Sequence, residues 1–208
     1  EQLFLSTLRG TKSDATPIWM MRQAGRYLEE YRKIRASQQN FISFCLNPEH
    51  ATAVTLQPIA RYGFDAAIIF SDILMIPWAM NRNVRFKTGV GPLLDAMEKP
   101  DDIKAACLDG LIQKLAPIGK ALTLTRAALP AETTLIGFAG APWTLITYMA
   151  EGGTSRDFSK ARQWAWQNAK ALDGLLDILI DATISFLSLQ AQSGAETLML
   201  FDSWASAV

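Results

Sequence analysis

The sequence predicts an α/β fold with a parallel sheet, in the form of a (β/α)8 TIM barrel, and three observations lead there. Four short apolar runs recur along the 208 residues: PIWMM at 17–21, AAIIF at 66–70, LIGF at 135–138 and TLMLF at 197–201. Each is continuous rather than alternating, as in parallel strands buried on both faces. Long helical patterns separate the runs, which is the strand-helix order of an α/β fold. A polar motif follows each run at once: RQAGR at 22–26, SDIL at 71–74, AGAPW at 139–143 and DSW at 202–204. In a barrel the C-terminal strand ends meet at one mouth, so four such motifs favour a barrel over an open sheet. The competing Rossmann sheet lacks its marker, since no G-x-G-x-x-G follows a strand.

Taken in order, the first run is expected to be a strand. A helix is expected over Pro48–Tyr62, with Asn47 as N-cap, Pro48 at its first position, Gly63 ending it and Pro58 kinking its last turn. The second run is the next strand. The segment 78–98 lacks periodicity and reads as an excursion, with a short strand at 84–86 followed by loop. Helical pattern fills 102–129, interrupted near Pro117 and Gly119. After the third run, a long helix over 172–193 carries an apolar stripe of Leu175, Leu176, Leu179, Ile180, Ile184 and Leu187, and Gly194 stops it. The fourth run closes the series. No repeat or low-complexity linker divides the chain, so residues 1–208 read as a single domain. Four strong strands fall short of a barrel that typically takes about 250 residues. The barrel is therefore expected to be incomplete at Val208, with a few residues also preceding Glu1.

Composition narrows the function. Twenty basic and twenty acidic residues balance to zero, against a general nucleic-acid binder. Half the chain is apolar, with six Trp and ten Phe, so a packed core is expected. Cys45 and Cys107 stand apart and read as two core thiols in a reducing compartment. No signal peptide is expected, since EQLFLSTLRGTKSD at 1–14 has no long apolar region, and the apolar stretch 175–189 is too short and too charged to span a bilayer. A cytoplasmic protein is expected. His50 is the sole histidine and has no carboxylate or thiol at metal-ligand spacing. No phosphate-binding loop, zinc or haem pattern is present, so no metal or nucleotide cofactor is expected.

The polar motifs carry the candidate chemistry. If the segment after the first run is helical, Arg22 and Arg26 share a face, with Gly25 giving a ligand access to the backbone. Arginine grips carboxylates through two parallel hydrogen bonds, so arginines at a barrel mouth point to a polyanionic ligand. Arg32 and Lys33 read instead as a solvated face paired with Glu29 and Glu30. Asp72, at a buried strand end, needs a partner. It either caps the following turn or stabilises a cation formed during reaction, and the nearby arginine motif favours the second reading. Tyr148 offers a hydroxyl to a ligand or a ring to the core, and both stay open. Ser203 lacks a His or Lys partner and reads as a hydrogen-bond donor rather than a nucleophile. Asp202 reads as a loop cap.

PIWMMRQAGRY at 17–27 resembles the N-terminal signature of uroporphyrinogen decarboxylases. AAIIFSDIL at 66–74, GFAGAPWTL at 137–145 running on to EGG at 151–153, and LFDSWA at 200–205 resemble three further markers of that family, in its order. The resemblance implies a (β/α)8 barrel, commonly a homodimer, that removes CO2 from the four acetates of uroporphyrinogen III without a cofactor. It implies that Arg22 and Arg26 bind substrate carboxylates, with Arg35 adding charge. The backbone of Gln23, Ala24 and Gly25 would line the cleft. Asp72 would hold the pyrrole N–H groups and stabilise the cation, while Tyr148 and Ser203 would hydrogen-bond the substrate. Arg22, or water beside it, would donate the proton. The sequence departs from the family at Glu29, where Pro is common, and at Ser206, where Gly is. The family's substrate-contacting histidine belongs to a C-terminal part not contained here. Two alternatives remain: an inactive porphyrinogen-binding fragment, and a related barrel methyltransferase, whose His and Cys zinc site has no counterpart in this sequence.

Overall fold

In a computed structural model the structure describes residues 2–87 and 89–207. The order is α1 (Leu3–Leu8), α2 (Glu29–Ala36), α3 (Phe41–Cys45), α4 (Pro48–Tyr62), β1 (Ala66–Ile68), α5 (Met75–Ala79), β2 (Arg85–Lys87), β3 (Gly91–Leu93), α6 (Leu111–Ala128), β4 (Thr134–Gly140), α7 (Pro142–Glu151), α8 (Ser159–Gln167), α9 (Ala169–Gln192) and β5 (Thr197–Phe201). The principal sheet has the order β1-β4-β5, and β1 runs parallel to β4 with Ala66 opposite Thr134 and Ile68 opposite Ile136. This is an α/β fold with a parallel sheet. Its residues form two compact units.

The first unit comprises Glu1–Ser71, Ala116–Phe138 and Leu187–Met199. Its helix α4 follows the local rules: the Asn47 side chain accepts from the His50 amide at 2.9 Å, Pro48 occupies the first turn, and Gly63 ends the helix at φ 65°. An aromatic and aliphatic core forms around Leu28, Tyr31, Phe44 and Val54, with Ala24, Ile34 and Phe70 packed on it. Phe44 and Phe70 have ring centroids 4.6 Å apart. A Cβ on Gly119 would lie 2.8 Å from Ser193 Oγ and 3.1 Å from Leu189 Cδ1, so the missing side chain lets these stretches of α6 and α9 approach closely.

The first run is not a strand. Ile18, Met20 and Met21 are more than half exposed, and Ile18 is tied to the residue before β1. Its carbonyl accepts from the Asp65 amide at 2.9 Å, while its own amide donates to the Asp65 carboxylate at 2.7 Å. The next two groups along β1 are taken by a side chain. Gln23 Nε2 donates to Ala66 O at 2.7 Å, and Gln23 Oε1 accepts from the Ile68 amide at 3.1 Å. Side-chain groups thus occupy the edge that residues 17–21 were expected to fill.

The second unit comprises Asp72–Leu115, Ala139–Phe186 and Leu200–Val208. Helix α7 starts with Pro142 in its first turn and ends at Gly152, φ 79°. The excursion is more ordered than expected, for β2 and β3 pair as an antiparallel hairpin with Arg85 opposite Leu93. The hairpin is continued by a bridge from Leu93 to Gly153.

Two helix expectations are corrected. Helix α6 runs unbroken through Pro117 and Gly119, because Pro117 removes one backbone bond while Leu115, Ile118, Ala121 and Leu122 keep a continuous buried face. On α9 the buried stripe is Leu172, Leu175, Leu179, Ala182, Thr183, Phe186 and Gln190, whereas Ile180 and Ile184 are exposed. Cys45 is buried and Cys107 half-buried, and the two are not joined in a disulfide. Among the described residues no helix is long and apolar enough to cross a membrane, and no three His, Cys, Asp or Glu side chains group to hold a metal.

Candidate functional site

In the first unit, the arginine motif is a loop of turns and bends, not a helix, so Arg22 and Arg26 do not share a helix face. The loop is pinned at both ends. Gln23 is 2% exposed and bonded to β1, and Leu28, fully buried, plugs the aromatic core. Between them the Tyr27 hydroxyl donates to Gln23 O, and Arg32 Nη1 donates to Arg26 O at 2.7 Å and Tyr27 O at 3.2 Å. Gln23 therefore contributes its side chain to structure, leaving only its backbone to a ligand. Ala24 packs half-buried on the core, and a Cβ on Gly25 would press within 3.2 Å of the Tyr27 ring.

With the backbone fixed, Arg22 and Arg26 project into solvent. Among the described residues neither guanidinium makes a hydrogen bond or ion pair. The contrast with their neighbours is clear: Lys33 pairs with Glu29 at 2.8 Å and Arg61 with Glu30 at 3.0 Å. Arg35 is half-buried and donates to Gln38 O at 3.3 Å. Burial raises the pKa of Tyr31, and the nearby Arg35 and Arg26 charges pull it the other way. Chemically, the loop can hold anionic oxygens with two uncommitted forks on a rigid backbone.

The second unit holds Asp72, Tyr148 and Ser203. Asp72 Oδ1 accepts from the Leu74 amide at 2.8 Å, so the carboxylate caps the turn that opens α5, and the same bond fixes its direction. Both sequence readings of Asp72 are compatible with that bond. A Cβ on Gly140 would meet Leu145 Cδ2 at 2.7 Å and Ile73 Cβ at 3.1 Å, so glycine lets the end of β4 pass against this turn. Tyr148 is half-buried within α7, between the buried Thr147 and Met149. Ser203 is exposed, and Asp202, expected to cap its own loop, instead accepts from Thr144 Oγ1 of α7 at 2.8 Å.

The sequence reading passed over Thr144. It is fully buried, and its oxygen also accepts from the Trp204 amide at 3.2 Å. The one available signal was a hydroxyl among the apolar residues of α7, one turn before Tyr148.

A family model described as uroporphyrinogen decarboxylase (URO-D) covers residues 1–208. The chain belongs to the uroporphyrinogen decarboxylase family. Among curated relatives, the uroporphyrinogen decarboxylase of Maricaulis maris is 51% identical over 201 residues, covering 97% of this chain and 58% of that protein. The one from Granulibacter bethesdensis is 50% identical over 204 residues, covering 97% and 59%. The chain thus spans about three-fifths of the length of the curated relatives it matches. A solved methyltransferase from Methanosarcina mazei superposes with TM-score 0.73 at 17% identity, over 94% of this chain and 56% of that one. At that identity the likeness is one of fold, and the methyltransferase chemistry does not come with it.

Proposed function

We propose that the protein carrying this chain decarboxylates the four acetate side chains of uroporphyrinogen III to give coproporphyrinogen III. It does so in the cytoplasm, as a homodimer of (β/α)8 barrels, without metal or organic cofactor. Relatives named uroporphyrinogen decarboxylase at about half identity support this reading. The structural observation that carries it is the pinned loop with its two uncommitted guanidinium groups, Arg22 and Arg26. A substrate with eight carboxylates needs such groups. Exposed basic side chains that only solubilise a surface would not need a loop fastened at both ends.

In this reading Arg22 and Arg26 bind acetate and propionate carboxylates, and Arg35 adds positive field. The backbone of Gln23, Ala24 and Gly25 lines the site. Asp72 accepts hydrogen bonds from the pyrrole N–H groups. A proton from Arg22, or from water it holds, adds to a pyrrole carbon and leaves a cation. The bond to the carboxylate then breaks, its electron pair neutralises the cation, and CO2 departs. A proton adds to the resulting methylene and the ring proton leaves, so that a methyl group replaces each acetate. The fixed Asp72 charge lowers the barrier by stabilising the cation in a water-poor site. Tyr148 and Ser203 hydrogen-bond the substrate and orient it.

The test is anaerobic turnover of uroporphyrinogen III by the intact protein, followed by CO2 release and product analysis. Coproporphyrinogen from the wild type and a loss of at least about a hundredfold in Asp72→Asn are expected, the scale of removing one preorganised charge. Turnover undiminished in Asp72→Asn would remove Asp72 from the reaction, and an inert wild type would reject the activity itself.

A further inference from the structure

Within the second unit, residues 201–204 are fastened to residues 141–144 at every position but one. The Ala141 amide donates to Phe201 O at 2.9 Å. Thr144 Oγ1 donates its single proton to Asp202 Oδ1 at 2.8 Å and accepts from the Trp204 amide at 3.2 Å. Trp143 Nε1 donates to Trp204 O at 3.0 Å, and the Trp204 ring packs on Phe158 with centroids 4.8 Å apart. Ser203, between the two residues that Thr144 holds, is exposed and makes no hydrogen bond among the described residues.

Such an arrangement is more than loop closure. A threonine in the first turn of a helix commonly turns its hydroxyl to local backbone. Here the N-cap of α7 has no side-chain bond, and the Thr144 hydroxyl is spent entirely on the two neighbours of Ser203. The hydroxyl has one proton and accepts readily, and both capacities are used. One turn further along the same helix is Tyr148, so the rigid element that holds the Ser203 loop also carries the second hydroxyl. A donor held in place loses little freedom when it binds, which is how a buried supporting residue raises affinity and rate at a distance.

We propose that Thr144 is a positioning residue, which fixes Ser203 for its hydrogen bond to the substrate through the paired contacts to Asp202 and Trp204. This rests on the decarboxylase reading above for the identity of the substrate, and not for the geometry of the contacts.

The experiment compares Thr144→Val, which keeps the shape and removes the hydroxyl, with Thr144→Ser, which keeps the hydroxyl. Both are made in the intact protein, with and without Ser203→Ala. Hydrogen exchange at the Trp204 amide should quicken in Thr144→Val and return toward wild type in Thr144→Ser. With uroporphyrinogen III as substrate, Thr144→Val should lower kcat/KM about tenfold, the scale of one lost hydrogen bond. Thr144→Ser should recover most of that loss. In the Ser203→Ala background, Thr144→Val should cost less than about twofold more, because residues that act as one unit are not additive. A tenfold loss in both backgrounds, or unchanged exchange at Trp204, overturns the proposal. If Thr144→Val does not fold, Asp202→Ala breaks the same bond from its exposed end and carries the same comparison. A wild type that releases no CO2 rejects the decarboxylase reading, while the exchange measurement still decides whether Thr144 holds the loop.

Discussion

Gln190 makes with Phe138 both hydrogen bonds that a neighbouring strand would make. Its Nε2 donates to Phe138 O at 2.7 Å and its Oε1 accepts from the Phe138 amide at 2.8 Å. Gln190 is fully buried, and a Cβ on Gly137 would stand 2.7 Å from its Oε1. Gln23 treats β1 in the same way, through Ala66 O and the Ile68 amide. Both strands thus have backbone groups satisfied by glutamine side chains, which matters because buried polar groups left unpaired are costly.

Replacing Gln190 by Leu strands two buried backbone groups. A destabilisation of about 2–5 kcal/mol is expected from two unmet bonds. Urea denaturation with an unchanged slope measures it, and a loss below about 1 kcal/mol would mean that the groups find other partners.

Gly137→Ala should act on the same contact from the other side. The new methyl meets Gln190 Oε1, and also Ala195 Cβ and Leu198 Cδ2 at 3.0 Å each. Overpacking of this kind costs about 1–3 kcal/mol. A thermal midpoint equal to wild type would show that Gln190 and its neighbours yield freely.

Arg22→Gln separates binding from folding. The side chain is exposed and uncommitted, so stability should change by no more than about 0.5 kcal/mol. Substrate binding should weaken roughly tenfold to a hundredfold, the value of a hydrogen bond to a charged group. The salt dependence of KM should shrink with it. Unaltered KM across ionic strengths would take Arg22 out of the site.

Gln23→Leu should do both. It leaves Ala66 O and the Ile68 amide unpaired, and it frees one end of the loop bearing Arg22 and Arg26. A lower denaturation midpoint is expected together with a raised KM. A stability loss with wild-type KM would show that Leu28 and Arg32 hold the loop without Gln23.

Tyr31 gives a pH signature. It is 5% exposed, and burial raises its pKa from the ordinary value of 10.0. The folded state therefore holds the phenol proton more tightly than the unfolded state does. Its contribution to stability is complete below pH 10.0 and is lost as pH rises through the folded value. The stability difference between wild type and Tyr31→Phe should be flat up to about pH 9 and then move against wild type at higher pH. A difference constant to pH 11 or so would show that the hydroxyl is solvated in the folded protein.

Legibility followed range. Asn47, Pro48 and Gly63 marked the ends of α4 because a cap is a matter of three or four neighbouring residues. Strands β1 and β4 were visible because a strand buried on both faces carries an unbroken apolar run. The same criterion failed at 17–21, where apolar side chains lie exposed. The helical stripe failed at Ile180 and Ile184, since α9 is apolar on more than one face and sequence does not say which face meets a neighbour. The candidate residues Asp72 and Ser203 were legible as polar residues just past strands, and Arg22 and Arg26 as polar residues after an apolar run. Their fastenings were not, since Gln23 to Ile68 and Thr144 to Trp204 join residues 45 and 60 positions apart.

By itself, then, the sequence determined the family and the α/β character of the chain and named candidate ligand residues, because these depend on local pattern and residue chemistry. Tertiary structure decided which groups are spent on the fold and which are left over. Gln23, Gln190 and Thr144 are polar residues of no distinctive pattern until packing brings unpaired backbone groups or a carboxylate within about 3 Å. Burial then makes those bonds obligatory, and Arg22, Arg26 and Ser203 remain uncommitted.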